Sequence, residues 1–228
     1  MWPSGVYRTV RQLMMALVLA LVAASPAQAE STPAFRVCLK PLGPHDKAML
    51  ATAKRGIEYL YGASVHVLEA SPLPKKAYYR PRKRYRAEKL LAFLDDKVVK
   101  VSGCKYVMGF TSVDISTTKG KHRDWGILGL AWIGGPSGVV SSYRVRKRAS
   151  RRLQHQRVVK VMNHELGHAL GSPHIRGRGC LMEDAAGTVK TVDRESGLLC
   201  ESTRRLFERR HQVRLPKLTR FDWSNVLR

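Results

Sequence analysis

Positions 164–174 read His164-Glu165-Leu166-Gly167-His168-Ala169-Leu170-Gly171-Ser172-Pro173-His174 and bring imidazoles and a carboxylate into one short stretch. On a helix, His164 and His168 lie one turn apart, so both rings leave the same face and can meet at one ion, with Glu165 beside them. Gly171 lets the chain turn, and the turn can return His174 as a third ligand. Three nitrogen ligands leave the fourth tetrahedral position of a zinc ion open to water. Glu165 stands where a general base would take that water's proton. The pattern predicts zinc-assisted hydrolysis of a peptide bond, with His164, His168 and His174 as metal ligands and Glu165 as the catalytic residue. A helix that merely carried surface histidines would need neither the glycine nor the third histidine at these offsets.

The elements that must position this stretch give an α/β reading. The active-site helix is expected over about 152–170, with Val158, Val161, Met162, Leu166 and Ala169 on its core face and Val159 and Leu170 widening the stripe. Upstream, 35–42 (FRVCLKPL) reads as a strand. From Asp46, a fair cap, Met49, Ala53, Ile57 and Leu60 recur at helical spacing until Gly62. A strand over 64–68 follows, then an extended loop with Pro72, Pro74 and Pro81 that carries the basic run 80–84. A helix is read over 87–94 and a buried strand over 106–115. Strands over 126–133 (GILGLAWI) and 139–145 bracket a turn at 134–138. After His174 the glycines point to loops, and a helix over 202–212, with Leu206 and Phe207 inward, ends before Pro216. The tail 218–228 carries no pattern, and there is no internal repeat.

Composition bounds the setting. Residues 1–29 read as a secretory signal peptide: Arg8 and Arg11 give the positive start, 13–24 the short apolar run, and Ala27-Gln28-Ala29 the cleavage site, so the mature chain begins near Glu30. That run is short of the ~20 residues a membrane span needs, and nothing comparable follows. The destination is secreted or periplasmic, as a single monomeric domain over 30–228. Lys and Arg number 41 against 17 Asp and Glu, a net charge of +24, or +22 once Arg8 and Arg11 leave with the leader. Such a surface attracts polyanions, including anionic cell-envelope polymers. No zinc-finger spacing, RNP-like strand or concentrated basic helix marks a specific nucleic-acid module. Cys38, Cys104, Cys180 and Cys200 make an even count that favours disulfides in an exported chain, with three pairings open.

HELGHALGSPH followed by C-x-M resembles the metzincins. The LKPL opening, the LPKKAY loop, Arg84-Tyr85-Arg86-Ala87, GFTSVDI, the glycine-rich GLA segment and VVSSYRV narrow the resemblance to the archaemetzincin-like branch. It implies a twisted mixed sheet with an antiparallel edge strand over the active-site helix, an upper lobe over about 30–171 and a small irregular lower lobe over 172–228. It also implies the zinc ligands His164, His168 and His174, the base Glu165, the hinge Gly171, and a Met-turn at Met182. The edge strand over 126–133, with Gly129, Leu130 and Ala131, would take an extended substrate by main-chain pairing, and its glycines fit a place where another backbone approaches.

Departures are equally specific. The archaemetzincin pattern places four cysteines that hold a second, structural zinc, and here those positions read Ile175, Cys180, Cys200 and Thr203. Two thiolates are too few for a closed site, so a single catalytic zinc is expected. Cys180 with Cys200 would then close the lower lobe as a disulfide, stabilising it by roughly 3 kcal/mol. Cys38 and Cys104 lie on or beside strands that the family sheet makes neighbours, which implies the other bridge. Some metzincins carry a tyrosine two residues after the Met-turn methionine, where this chain has Asp184. The rival reading is a catalytically silent metzincin scaffold that binds anionic envelope polymers through its basic surface.

Overall fold

The structure is a computed structural model and describes residues 35–228; the signal peptide read at 1–29 lies outside the described residues. Strand β1 (Arg36–Pro41) leads into helix α1 (Lys47–Tyr61), whose first turn is capped by the Asp46 carboxylate accepting from the Met49 amide at 3.0 Å. Strand β2 (Ser64–Val67) returns beside β1. Short strands β3 (Tyr78–Tyr79) and β4 (Arg84–Arg86) precede α2 (Ala87–Leu94), and then come β5 (Tyr106–Thr111), β6 (Ile115–Lys119), β7 (His122–Ile127), β8 (Gly129–Ala131) and β9 (Ser137–Ser141). A helical turn α3 (Ser142–Val145) joins to the long helix α4 (Arg151–Ala169). Helices α5 (Val189–Arg194), α6 (Glu201–His211) and α7 (Trp223–Val226) complete the chain.

The main sheet has five strands in the order β2-β1-β5-β9-β8. All its pairs are parallel except β8 with β9, which is antiparallel and puts β8 at an edge. Alternation along the strands sorts side chains to two faces. Val37, Leu39, Met108, Phe110 and Val140 join the core formed with α1 and α4. Cys38, Val107 and Val139 join a second core under Leu90, Leu91 and Leu94 of α2. The first core runs on into Leu181, Phe207, Leu215 and Phe221, so the segment after His174 shares its apolar packing with the sheet and α1.

Several boundaries differ from the sequence reading, each for a local reason. The strand read over 126–133 is two strands in different sheets: β7 belongs to a four-stranded sheet ordered β3-β4-β6-β7, and β8 belongs to the main one. An apolar run reads the same whichever sheet takes it, so the crossover at Leu128 left no periodic signal. The strand read over 106–115 is likewise divided, with β5 ending at Thr111 and β6 beginning at Ile115. The strand read to 145 stops at Ser141, whose hydroxyl accepts from the Tyr143 amide at 3.1 Å and turns the chain into α3. The loop over 72–86 contributes β3 and β4, and the patternless tail forms α7, anchored to α1 where Arg55 Nε donates to the Val226 carbonyl at 2.8 Å. Disulfides join Cys38 to Cys104 and Cys180 to Cys200, with no free cysteine among the described residues. Among those residues no helix is long and apolar enough to cross a membrane.

Candidate active site

From Arg157 onward helix α4 is buried nearly all round, which explains charged residues inside an otherwise apolar face. Arg157, 3% exposed, donates from Nε and Nη2 to the Asp193 carboxylate at 2.7 Å each and from Nη1 to the carbonyls of Val145 and Lys147. Lys160 Nζ donates to the carbonyls of Val192 at 2.8 Å and Glu195 at 2.5 Å, capping the C-terminal end of α5. On the opposite side Asn163 Nδ2 donates to the Gly56 carbonyl at 3.2 Å, and the Tyr61 hydroxyl donates to the Asn163 carbonyl at 2.7 Å. These hydrogen bonds to fixed acceptors lock the helix that carries the histidines.

At the end of α4 the chain turns through Gly171 at φ 105°, a conformation that L side chains rarely adopt. The turn brings His174 back, so that one nitrogen from each of His164, His168 and His174 falls within 4.8 Å of the others. His174 Nε2 is 3.2 Å from His164 Nε2 and 3.1 Å from His168 Nε2. His164 Nδ1 donates to the Leu181 carbonyl at 2.6 Å and His168 Nδ1 donates to the Ser172 carbonyl at 2.8 Å. Carbonyls only accept, so both rings carry their proton on Nδ1 and direct the Nε2 lone pair inward. Lone pairs this close repel unless a cation lies between them. Ligands about 2.0–2.1 Å from a tetrahedral zinc stand about 3.3 Å apart, close to the separations here. Burial first, and the neighbouring imidazole next, push His164 down to about 3, while burial lowers His168. Both rings are therefore held neutral, the form that binds metal.

Glu165, 7% exposed, lies against β8: an ideal Cβ on Gly129 would sit 2.7 Å from Glu165 Oε1. Burial pushes the Glu165 carboxyl up to about 8, with the Ala131 amide pulling the other way. The glycines of this segment are expected to mark an approaching backbone. At Gly129 the neighbour is the Glu165 side chain, and at Gly126 it is the Arg144 guanidinium. Met182, fully buried, packs its thioether under Gly167, where a Cβ would collide with it. Leu181, which holds His164, sits between that methionine and Cys180, tied by its disulfide to the start of α6. The far end of α6 returns to the end of α4, where His211 Nε2 donates to the Leu170 carbonyl at 2.8 Å.

The imidazoles and Glu165 open into a cleft of about 600 Å³. One wall is β8 continued by Trp132 and Ile133, 50% and 59% exposed; the other is the β6–β7 hairpin with Lys119 and Trp125, and Asp184 and Gly187. Sequence reading singled out neither tryptophan nor Lys119. The signal for the hairpin was Gly120 between Lys119 and Lys121, a turn residue inside a polar run that carried no apolar alternation.

The family model for peptidase family M54 matches residues 58–209. The archaemetzincin of Haloarcula marismortui is 31% identical over 179 residues, covering 75% of this chain and 98% of its own. The crystal structure of archaemetzincin from Methanopyrus kandleri superposes with a TM-score of 0.68 at 27% identity, covering 78% of this chain and 96% of that one. That from Archaeoglobus fulgidus, complexed with malonate, gives 0.64 at 27% identity and covers 75% and 99%. Fold, histidine cluster and sequence agree, and the chain belongs to peptidase family M54, the archaemetzincin zinc metallopeptidases.

Proposed function

We propose that this chain is an exported peptidase with one zinc ion held by His164, His168 and His174, in which Glu165 is the general base. The observation that carries the reading is the inward convergence of the Nε2 atoms beside a buried carboxylate at the floor of an open cleft. When bound there, zinc supplies a Lewis acid that polarises the scissile carbonyl and makes water more acidic. With the charge of a bound ion offsetting the burial that raises its carboxyl, Glu165 as a carboxylate takes a proton from the attacking water and returns it to the leaving amine. The Ala131 amide faces its carboxylate, and the missing side chain of Gly129 leaves it room.

The substrate lies along β8. The Leu128 carbonyl accepts from the Ser141 amide at 2.9 Å, and register then pairs Leu130 with Val139 in the same sense. Antiparallel alternation turns the Gly129 main-chain groups and the Ala131 carbonyl to the open edge, where an extended peptide adds as a further strand, while the Ala131 amide is engaged by Glu165. Ile175 and Thr203 offer no thiolate and Cys180 is bonded to Cys200, which supports a single zinc. The disulfides support an oxidising destination beyond the leader. The exposed run Arg146-Lys147-Arg148 supports attachment to anionic envelope polymers, which rising salt would weaken well before it affected cleavage of a neutral peptide.

The deciding experiment compares zinc-loaded wild type with Glu165→Gln on a peptide library. Turnover is expected to fall by about 10²-fold or more, the range general-base catalysis supplies, while zinc content is unchanged. A zinc-loaded variant that cleaves at the wild-type rate overturns the assignment of the base.

A further inference from the structure

The candidate zinc ligands differ in what holds the second ring nitrogen. His164 and His168 sit on α4 and each donates from Nδ1 to a main-chain carbonyl fixed by the fold. His174 follows Pro173 in a loop, its side chain is 45% exposed, and among the described residues no carbonyl accepts from its Nδ1. That nitrogen faces the carboxylate of Asp184, with Oδ2 at 3.9 Å. The other oxygen, Oδ1, accepts from the Ala186 amide at 2.7 Å, so the carboxylate is anchored by its own turn with Oδ2 left toward the ring. A rotation of about 1 Å at either half-exposed side chain brings Nδ1 and Oδ2 into hydrogen-bond range.

We propose that Asp184 is a positioning residue for the metal centre: its carboxylate accepts the Nδ1 proton of His174 and fixes the exposed third ligand with Nε2 turned to the ion. The proposal rests on the assignment of the three histidines as ligands. His174 needs such a partner more than the other two, because a loop imidazole open to solvent keeps ring freedom that α4 has already removed from His164 and His168. A carboxylate also makes the imidazole a stronger donor than a carbonyl does, and its charge offsets part of the ion's. Asp184 lines the substrate cleft as well, so contact with the peptide is the competing role.

The test measures zinc affinity of the full chain without substrate, by competition with a chromophoric chelator, for wild type, Asp184→Ala and Asp184→Asn. Loss of the carboxylate is expected to weaken zinc binding 10- to 100-fold, the range for outer partners of metal-bound histidines. Asp184→Asn is expected to fall between, since its amide oxygen still accepts a hydrogen bond but carries no charge. The visible spectrum of the cobalt-substituted protein is expected to shift in both. The melting temperature of the metal-free variants is expected to match metal-free wild type, because the Asp184 side chain is 53% exposed. Zinc affinity of Asp184→Ala within twofold of wild type overturns the proposal, and if KM alone rises Asp184 belongs to the substrate. Wild type that takes up no zinc overturns the ligand assignment itself, a result the wild-type titration shows before any variant is made.

Discussion

Replacing Gly129 with alanine tests how closely the edge strand and the proposed base are fitted. An ideal Cβ at this position would lie 2.6 Å from Glu165 Cγ, 2.7 Å from Oε1 and 2.9 Å from Cδ. Ordinary carbon contacts begin near 3.5 Å, so the Glu165 side chain must retreat by about 0.9 Å. It is 7% exposed at the floor of the cleft, and any retreat takes its carboxylate away from the Ala131 amide. Gly129 does not have positive φ, so an alanine strains no torsion there and the cost falls on the contact. Overpacking of this kind costs about 1–3 kcal/mol of stability. A misplacement of about 1 Å at a catalytic group costs on the order of 10²-fold in rate, or about 2.7 kcal/mol of transition-state stabilisation. The assay is kcat/KM on a quenched fluorescent peptide, with zinc content and melting temperature measured on the same preparation. The expected result is a fall of about 10²-fold with zinc retained and a cooperative melt. A folded, zinc-loaded Gly129→Ala enzyme within threefold of wild type would refute the fit between β8 and Glu165.

Other perturbations address the frame around the site. Replacing Cys180 and Cys200 together by serine opens a loop of sequence separation 20, which chain entropy values at about 3 kcal/mol. Urea unfolding is expected to show that loss, and zinc affinity is expected to fall with it because Leu181, the partner of His164, adjoins Cys180. Arg157→Ala removes a buried guanidinium and leaves the carbonyls of Val145 and Lys147 without their donor, while water can reach the half-exposed Asp193 carboxylate, so it is expected to cost about 1–3 kcal/mol in the same measurement. Burial pushes the Glu195 carboxyl up to about 7, against the pull of the Lys160 ammonium. Its folded value lies above its unfolded one, so its stabilising contribution is complete below pH about 4.5 and is lost as pH rises through about 7. Glu195→Gln is expected to melt close to wild type at pH 5 and above it at pH 8; a gap that does not widen with pH contradicts the buried placement.

The chemistry was legible because its signals are local. His164, Glu165, His168, Gly171 and His174 are fixed by one helix and one turn, so spacing alone predicted the convergence that the Nε2 separations display. Asp46 and Gly62 delimited α1 for the same reason, since caps act within a few residues. The disulfides were legible only through resemblance, because a cysteine count leaves all three pairings open and only sheet order makes Cys38 and Cys104 neighbours. The edge strand at Gly129–Ala131 was legible only through resemblance, and its boundary was not: 126–133 carries one apolar pattern, yet Ile127 ends a strand of the small sheet and Gly129 begins the edge of the large one.

By itself, then, the sequence determined the candidate metal-binding stretch, the α/β class and the family, all of which rest on residue types at short offsets. The tertiary structure alone decided what surrounds that stretch. Arg157 and Lys160 became locks because Asp193 and the end of α5 fold back beneath α4. Gly129 became a steric requirement because β8 crosses Glu165, and Asp184 came to face His174 through the loop that follows Met182. These are contacts between segments whose separation along the chain carries no period, and only the packed fold brings them together.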